Sequence, residues 1–419
     1  MDNSATTPLD GEVLKAMMPY FCHNFGNASS IHSFGQEARA AVDASRKVIA
    51  DFLDCQPEEI IFTSGGSESD NLAIRGLIEA TSPTKLRIIS RKYENTNNSN
   101  ETSTERAQKN LNKLIPHVIT SAFEHHAVLD TIKELEKEGA IEASYIKPNN
   151  DGIINPKDIE KAIKENTVLV SIMYVNNEVG TVQPIREIGK MIQMINVRRQ
   201  TTDVRRIFFH TDAVQAAECF DVSTKYLHID MLTMTAHKIY GPKGVGLLFV
   251  RKGTPLKHQI VGGGQEYKKR AGTENVAGIV GLAAALRQVK SKKLKVKSII
   301  KLRDQLIDGI LKNISDTKLN GSRELRSPAN VNVSFKNAEG ESILINLDLE
   351  GIAASSGSAC TSGSLEPSHV LTSMGIPAEE SHGSIRFTLG RHTSKGDIDK
   401  VLQVLPPIIN KLRKMSPYK

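Results

Sequence analysis

A lysine between two apolar segments is the residue of this sequence that most directly suggests chemistry. Lys238 follows Met231–Thr235 and precedes Gly246–Val250, in a stretch rich in Gly and Pro, which predicts a strand, a tight turn and a second strand. An amine held between buried strands is poorly hydrated. Because desolvation disfavours the ammonium form, the pKa of Lys238 is expected to fall to about 7–8, where the amine can form an imine with a carbonyl. A lysine on an exposed turn is the alternative, and this stretch alone does not decide between them.

A glycine-rich turn, Ser64-Gly-Gly-Ser67, lies where an apolar strand ends and a helix begins. Free backbone N–H groups and the positive end of the helix dipole make such a turn a natural phosphate site. The turn has neither the P-loop lysine nor the dinucleotide-binding glycine pattern, so ATP or NAD binding is not indicated. Taken alone, the motif is equally consistent with a plain turn.

Polar residues also follow other apolar strands. Asp212 ends the run Ile207–Asp212, at the end of the strand where ligands of open α/β sheets bind. A buried carboxylate at this position requires a cation partner. Asn177 and Glu178 follow a second apolar run, and His125 lies at a strand-to-helix junction. As alternatives, Asp212 can cap the following helix and His125 can be structural.

The four cysteines stand far apart and form no C-x-x-C pair, which predicts neither a disulfide framework nor a metal site and fits a reducing compartment. Cys55 and Cys219 are expected to be small packed residues. Cys22 has a single histidine neighbour, which is too little for a metal site. Cys360 differs because the surrounding segment, Ser355–Ser364, is small, polar and Gly-rich. This segment is predicted to be an exposed, mobile loop that carries a reactive thiol.

The order of the predicted elements indicates an α/β protein. Apolar strands alternate with helices, which is typical of a parallel sheet covered on both faces, and a smaller α+β region follows the lysine-rich segment Lys290–Lys297. Polar insertions at about 92–114 and at Asn196–Arg206 are predicted to be surface loops. The predicted strands are Leu86–Ser90, His117–Ser121, Ala143–Ile146, Val168–Tyr174, Arg206–His210, Met231–Thr235, Gly246–Val250, Asn330–Phe335 and Ser384–Thr388.

Composition limits the partners that this chain can have. The 419 residues carry a formal net charge of +7, but there is no Trp and no pattern of aromatic residues between the basic ones. Net charge is therefore the single feature that motivates an RNA-binding hypothesis, and direct nucleic-acid binding is not expected. No apolar run approaches the roughly 20 residues of a membrane span, and no secretory signal precedes Ser4. We expect a soluble protein without membrane contact.

Read in chain order, these motifs resemble those of the cysteine desulfurases, the NifS/IscS class of fold-type I enzymes that use pyridoxal 5'-phosphate (PLP) and belong to the class-V aminotransferases. The resemblance covers almost the whole chain. The matching motifs are Ser4-Ala-Thr-Thr-Pro, Ser64-Gly-Gly-Ser-Glu-Ser-Asp-Asn, Glu124-His, Asn176-Asn-Glu, His210-Thr-Asp-Ala-Val-Gln, His237-Lys, Arg270-Ala-Gly-Thr-Glu-Asn, Ser356-Gly-Ser-Ala-Cys-Thr-Ser and Ser384-Ile-Arg-Phe.

The resemblance implies the fold and its division into domains. Residues 11–290 would form a large PLP-binding domain with a mainly parallel seven-stranded sheet sandwiched by helices, like that of aspartate aminotransferase. Residues 1–10 and 291–419 would form a smaller α+β domain that carries the Cys360 loop.

The resemblance also assigns the cofactor site. Lys238 would be the Schiff-base lysine and Asp212 the partner of the ring nitrogen. His125 would stack on the ring and assist proton transfer, and Gln215 would bond the ring hydroxyl. The phosphate would be held by Gly66, Ser67, Thr235 and His237, and by Thr273 of the other subunit.

The remaining assignments concern the substrate and the sulfur. Asn177, which also lies at the cofactor, and Arg386 would bind the carboxylate of L-cysteine, Arg386 through a bidentate fork. Cys360 would accept the sulfur as a persulfide while L-alanine is released. Related activities, a selenocysteine lyase or another class-V aminotransferase, would share the PLP residues, and a non-enzymatic platform protein is a further alternative.

The implied partners are a second copy of the chain and sulfur acceptors. These acceptors would serve iron–sulfur cluster assembly, where a scaffold protein takes the sulfur, and tRNA thiolation. The C-terminus ends at Lys419, which is short for a scaffold-binding tail, so the mode of docking is open. The Asn-rich insertion suggests a eukaryotic source and the matrix of a mitochondrion or related organelle; otherwise a cytoplasmic protein is expected.

Overall fold

Two β-sheets organise the part of the chain that the computed structural model describes, namely residues 1–82, 115–200, 204–291, 296–356 and 367–415. A seven-stranded sheet lies in the first two thirds of the chain, and a four-stranded sheet lies in the last third. The predicted strand Leu86–Ser90, the insertion at about 92–114 and Cys360 lie outside the described residues. None of the helices in the described ranges has the length and apolar character that crossing a bilayer requires.

The large sheet has the strand order β1-β7-β6-β5-β4-β2-β3. Strands β3, β2, β4, β5 and β6 run parallel, and β7 is antiparallel to both β6 and β1. The carboxyl ends of β1, β2, β4, β5 and β6 therefore meet at one edge. The strands are β1 (Ile60–Thr63), β2 (His117–Ser121), β3 (Glu142–Ile146), β4 (Thr167–Ser171), β5 (Phe208–Asp212), β6 (Met231–Thr235) and β7 (Gly246–Val250).

Helices cover both faces of this sheet because nearly all of its strands are apolar and buried on both sides. Two clusters of buried side chains, one around Ile49, Phe209 and Leu286 and one around Ile61 and Leu77, fill the two interfaces. The helices of this part of the chain are α1 (Gly11–Met17), α2 (Pro19–Cys22), α3 (Ser33–Leu53), α4 (Gly66–Thr81), α5 (His126–Lys137), α6 (Pro156–Ala162), α7 (Ile185–Arg199), α8 (Thr224–Leu227), α9 (Gln265–Lys268) and α10 (Val276–Ser291).

The small sheet is antiparallel, with the order β10-β11-β9-β8. Its own apolar cluster, which includes Leu306, Val333 and Phe387, packs beneath two long helices. The N-terminal segment joins this sheet through a bridge between Asp2 and Thr388. Its elements are α11 (Val296–Asn313), β8 (Thr317–Leu319), β9 (Asn330–Phe335), α12 (Gly340–Leu349), β10 (Ser355–Ser356), α13 (His369–Ser373), α14 (Ala378–Ser381), β11 (Ser384–Thr388) and α15 (Lys395–Met415).

Most predicted strands have the expected bounds, and the differences have local causes. The strand predicted at Arg206–His210 spans Phe208–Asp212, so that Asp212 is its last residue. The run predicted at Val168–Tyr174 is a strand over Thr167–Ser171. Beyond Ser171 the chain stays close to β5, since Tyr174 donates its N–H to Asp212, but its carbonyl already accepts from Gln183. The α/β fold with a mainly parallel seven-stranded sheet is confirmed. The domain boundaries at residues 10 and 290 stay a prediction.

Candidate active site

A cavity of about 400 Å³ lies at the edge where the parallel strands end. Its walls come from the large sheet, the first turn of α4, the N-terminal segment and the small sheet. The sequence-predicted residues that line it are Gly66, Ser67, His125, Asn177, Asp212, Gln215, Thr235, His237, Lys238 and Arg386. Residues that are up to 320 positions apart in the chain thus share one cavity.

Lys238 is half-buried at the end of a single 3-10 turn, Ala236–Lys238, between β6 and β7. Its Nζ donates to the carbonyl of Ser4 and, at 2.8 Å, to that of Ala5. The N-terminal segment is held there because Thr7 donates to the carbonyl of His237 at 2.9 Å. The amine therefore points into the cavity and not into solvent, as an imine-forming lysine requires.

Asp212 is the last residue of β5 and is 7% exposed. Its Oδ1 accepts the N–H of Val214 at 2.8 Å. Burial raises the pKa of Asp212 to about 6, and the Val214 N–H and the charge of Lys238 act in the opposite direction. No helix begins here in the described residues, since 214–219 form turns, so the N-cap alternative for Asp212 is wrong.

His125 is structural and also lies at the cavity, and its part in the chemistry stays a prediction. It is the N-cap of α5, where its Nδ1 accepts the N–H of Ala127 at 3.1 Å, and its ring also lines the cavity. Burial, followed by the charges of Lys238 and His126, lowers the pKa of His125 to about 4. The ring is therefore neutral at neutral pH, and the cap leaves the proton on Nε2.

The first turn of α4 forms the floor expected for a phosphate. Gly66 and Ser67 open this 16-residue helix, whose first amides have no acceptor within the helix. The helix start lies close against β7: a Cβ on Gly246 would be 2.8 Å from the backbone of Gly65. Thr235, the last residue of β6, lies beside this helix start, with its Oγ1 3.9 Å from where a Cβ on Gly65 would be, and His237 follows in the next turn.

Arg386 brings the small sheet into the site. This residue of β11 is buried, and its Nη1 donates to the carbonyl of Asn177 at 3.0 Å. Its Nη2 pairs with Asp2 at 3.0 Å. Its Nε is buried and has no partner in the described part of the chain. A substrate carboxylate can therefore bind the guanidinium at Nη2 by displacing Asp2.

Two predicted residues require separate mention. Thr273 is exposed and does not line the cavity of its own chain. Cys360 lies outside the described residues, but β10, which ends four positions before it, pairs directly with the strand of Arg386, Ser355 opposite Arg386.

The structure adds site residues that the sequence reasoning did not single out. Asp70, His126 and His369 line the cavity, and Asp2 forms an ion pair with Arg386. A signal existed for Asp70, because it lies three and four residues after Ser67 and Gly66 and therefore shares their helix face. The positions of Asp2 and His369 depend on contacts between distant segments, which no local pattern reports.

These residues fit PLP. The buried Asp212 carboxylate has no ion pair in the described residues and matches a protonated ring nitrogen. The first turn of α4 presents amides to a phosphate, and Lys238 presents an amine to an aldehyde. The neutral His125 ring offers a flat face. The cavity volume of about 400 Å³ lies within the usual range for small-molecule sites.

Comparisons with known proteins agree with this arrangement. The family model for class-V aminotransferases matches residues 1–115 and 95–401. The cysteine desulfurase IscS of Dictyoglomus turgidum is 46% identical over 420 residues, which cover 100% of this chain and 96% of that protein. Among solved structures, a NifS-like protein superposes with a TM-score of 0.80 at 30% identity, covering 99% of this chain and 98% of the other.

A second solved structure, SspA in complex with cysteine, has a TM-score of 0.73 and 32% identity, over 94% of this chain and 99% of the other. The chain belongs to the class-V aminotransferase family, in the group whose curated members are named cysteine desulfurases.

Proposed function

We propose that the protein is a PLP-dependent cysteine desulfurase that converts L-cysteine to L-alanine and collects the sulfur as a persulfide on Cys360. The observation that carries this proposal is the meeting of Lys238, Asp212, His125 and Arg386 around one cavity. Full-length similarity to enzymes named cysteine desulfurases supports the choice of substrate. A selenocysteine lyase or another class-V aminotransferase would use the same cofactor residues.

The chain's own residues hold and tune the cofactor. Lys238 would hold the cofactor through its aldehyde, and Asp212 would keep the ring nitrogen protonated. When bound, PLP supplies an electron sink for the negative charge that develops at the substrate Cα. The phosphate would lie against Gly66, Ser67, Thr235 and His237, with Thr273 contributed by a second copy of the chain, and Gln215 would bond the ring hydroxyl.

Substrate binding and proton transfer depend on three residues. The carboxylate of L-cysteine would bind Arg386, whose fork favours two parallel hydrogen bonds, with Asn177 beside it. The Nζ of Lys238 would take the proton from the substrate Cα. His125, neutral at neutral pH, would stack on the ring and move a proton through Nε2.

Sulfur transfer requires a thiolate at Cys360. Its Sγ attacks the substrate sulfur, so that an S–S bond forms and the C–S bond breaks. The electron pair of that bond stays with the carbon fragment, which is protonated and leaves as alanine. Burial raises the pKa of Cys55 and of Cys219 to about 12, so these thiols stay protonated at neutral pH. They are unsuited to the reaction.

The same proposal includes partners. A second copy of the chain would complete the phosphate site, and sulfur acceptors such as an iron–sulfur scaffold protein would take the persulfide sulfur. An exposed apolar surface near the N-terminus, formed by Leu14, Met18, Phe21, Phe25, Ile31 and Phe34, supports association with a second copy. A mitochondrial or related matrix, or otherwise the cytoplasm, is the proposed location.

The test is to incubate the PLP-loaded protein with L-cysteine and to measure alanine together with persulfide on Cys360. Cys360→Ser is expected to bind cysteine, seen as a change in visible absorption, yet to lose at least roughly 100-fold in alanine formation. Lys238→Arg keeps the positive charge but is expected to lose the visible absorption of the lysine-bound cofactor. Cys22→Ser is the matched control and should turn over normally.

Two outcomes would contradict the assignment: normal alanine release by Cys360→Ser, or an unchanged visible spectrum in Lys238→Arg. Parallel assays with selenocysteine separate the alternatives, since a lyase would release its product without Cys360.

A further inference from the structure

Three buried carboxyl groups interact with one another at the cavity, and two of them line it. Asp212 ends β5, Asp70 lies in the second turn of α4, and Glu124 lies between β2 and α5; they are 7%, 1% and 0% exposed. The proposed function uses Asp212. Asp70 lines the cavity beside it, and Glu124 lies behind.

Asp70 lines the cavity and has one buried oxygen without a donor in the described residues. Its Oδ1 is buried and makes no hydrogen bond within the described residues. The nearest ring nitrogen, Nε2 of His210, is 3.6 Å away, beyond hydrogen-bond distance. Only the hydroxyl of Thr233, among the described groups that act on Asp70, favours its ionised form. The ionised form of Asp70 is unfavourable here, because each buried oxygen of a carboxylate needs hydrogen-bond donors.

Glu124 has the same imbalance. Its Oε1 accepts the hydroxyl of Ser121 at 2.5 Å and the N–H of Met173 at 2.9 Å. Its Oε2 is buried and has no partner in the part of the chain that the structure describes. One oxygen with two donors and one oxygen without a donor are more compatible with a neutral acid than with a carboxylate.

The positive charge around the three acids is too small to balance three carboxylates. Burial lowers the pKa of His210 to about 3, and burial with Lys238 and His126 lowers that of His125 to about 4, so both rings are neutral. Lys238 is the cation that acts on Asp212. Like charges close together in a medium of low dielectric constant repel strongly.

Burial and the neighbouring charges order the three acids. Burial and the charge of Asp212 raise the pKa of Asp70 well above its usual range. Burial raises the pKa of Glu124 to about 8, and Asp212 adds to the effect, whereas the pKa of Asp212 itself is about 6. Asp212 accepts the N–H of Val214 and interacts with Lys238, whereas Oδ1 of Asp70 has no donor in the described residues, so ionisation at Asp212 is favoured over ionisation at Asp70.

We propose that Asp70 and Glu124 keep their protons at neutral pH and act as positioning residues, so that Asp212 is the single carboxylate presented to the cofactor's ring nitrogen. The proposal rests on the assignment of Asp212 to that nitrogen. Asp70 then offers the cavity a neutral hydrogen-bonding group without a second charge. Among these three acids, Asp212 is the one anion for the ring cation, and it stays ionised because Asp70 and Glu124 do not.

Infrared spectra of the full-length protein in D2O at neutral pD test the protonation directly, without and with PLP. A protonated carboxyl has a C=O stretch that a carboxylate lacks. Asp70→Asn and Glu124→Gln are each expected to remove one such band from the wild-type spectrum. Asp54→Asn, which removes an exposed carboxyl paired with Lys225 at 2.7 Å, is the control and should remove none. An unchanged acid band in Asp70→Asn would overturn the proposal for that residue.

Cofactor affinity, followed by visible absorption, supplies the second readout. Asp70→Asn replaces a neutral group by a neutral group and should change the PLP dissociation constant by no more than about threefold, whereas Asp212→Asn should raise it at least roughly tenfold. Equal weakening by the two variants would mean that Asp70 is charged, contrary to the proposal. An unaffected Asp212→Asn would instead remove the assignment of Asp212 and leave the infrared result standing.

Should a variant fail to fold, the wild-type protein carries the test alone. With 13C-labelled Asp side chains, a buried aspartic acid gives a carboxyl NMR signal at the protonated chemical shift at neutral pH. Asp70 must account for one such signal, and its absence would contradict the proposal.

Discussion

At the scale of single residues, burial decides which groups in this site carry charge. Glu178 illustrates this at a position separate from Asp212, Asp70 and Glu124. It lies beside Arg386, lines the cavity, and accepts the hydroxyl of Ser368 at 2.5 Å. Burial raises the pKa of Glu178 to about 7, against the opposing effects of Ser368 and Arg386. Its carboxyl group is therefore half-protonated near neutral pH, whereas an exposed glutamate is fully ionised.

This raised pKa makes stability depend on pH. The folded protein binds the Glu178 proton more tightly than the unfolded chain, so the contribution is fully present below pH 4.5 and is lost as the pH rises through about 7. Between pH 5 and pH 8 the wild-type protein should lose up to about 3 kcal/mol from this group. Glu178→Gln should remove that part of the loss, measured as the change in the free energy of unfolding without PLP at the two pH values.

Glu187→Gln, which alters an exposed glutamate, is the control and should keep the wild-type pH dependence. If Glu178→Gln behaves like this control, Glu178 is ionised in the folded protein throughout this range.

At the scale of elements, the site depends on the close contact between the first turn of α4 and β7. A Cβ on Gly246 would lie 2.8 Å from the Gly65 backbone and equally close to the carbonyl oxygen of Met234. All of these neighbours are backbone atoms, which cannot rotate away. The glycine at the start of β7 thus permits the amides of Gly66 and Ser67 to face the end of β6.

Gly246→Ala is expected to push these elements apart. Overpacking of this kind costs about 1–3 kcal/mol of stability, and the phosphate floor should move with α4, so PLP binding weakens as well. Thermal unfolding and PLP titration measure the two effects. Gly11→Ala, at a position with no atom within 4 Å of the added methyl group, is the control. Wild-type stability and PLP affinity in Gly246→Ala would show that this contact is not tight.

A second element-scale feature joins the two sheets. The carbonyl of Glu178 accepts from Asn330 at 3.0 Å and from Asn332 at 3.1 Å, and that of Val179 accepts from Arg326 at 2.7 Å. Together with the bond from Arg386 to Asn177, these donors from the last third of the chain hold three consecutive carbonyls of a turn that follows β4. This network fixes Asn177 and Arg386 relative to each other.

At the scale of the whole molecule, the exposed apolar surface near the N-terminus points to a second copy. Phe25 is 66% exposed and stacks on Phe34 with ring centroids 5.5 Å apart, and Ile31 is 92% exposed. A soluble monomer rarely leaves such a cluster uncovered. A dimer would also bring an exposed Thr273 to the phosphate of the other copy.

Phe25→Glu is expected to weaken the dimer, because a charge would have to be buried at the contact. Light scattering after size-exclusion chromatography measures the mass, and PLP titration should show weaker binding because the partner's threonine is lost. Leu349→Glu, at an 81% exposed residue of α12, is the control and should stay dimeric. A monomeric wild-type protein, or a dimeric Phe25→Glu with normal PLP binding, would contradict the prediction.

Local patterns were sufficient to predict much of this fold. Met231–Thr235 and Gly246–Val250 are continuous apolar runs next to turn residues, and both are strands with the predicted bounds. The ends of β4 and β5 were less predictable, because they depend on where neighbouring segments supply hydrogen-bond partners, as Gln183 does for Tyr174.

The sequence by itself was enough to choose the residues that we propose carry the chemistry, since Lys238, Asp212, His125 and Arg386 each lie in a short motif. Only the tertiary structure decided what surrounds them. The carbonyls of Ser4 and Ala5 accept hydrogen bonds from Lys238, and Asp2 forms an ion pair with Arg386. Asp70 and Glu124 lie near Asp212. These neighbours come from segments far apart in the chain, and burial acts on a group through everything packed around it. The charge of each group is therefore a property of the folded molecule.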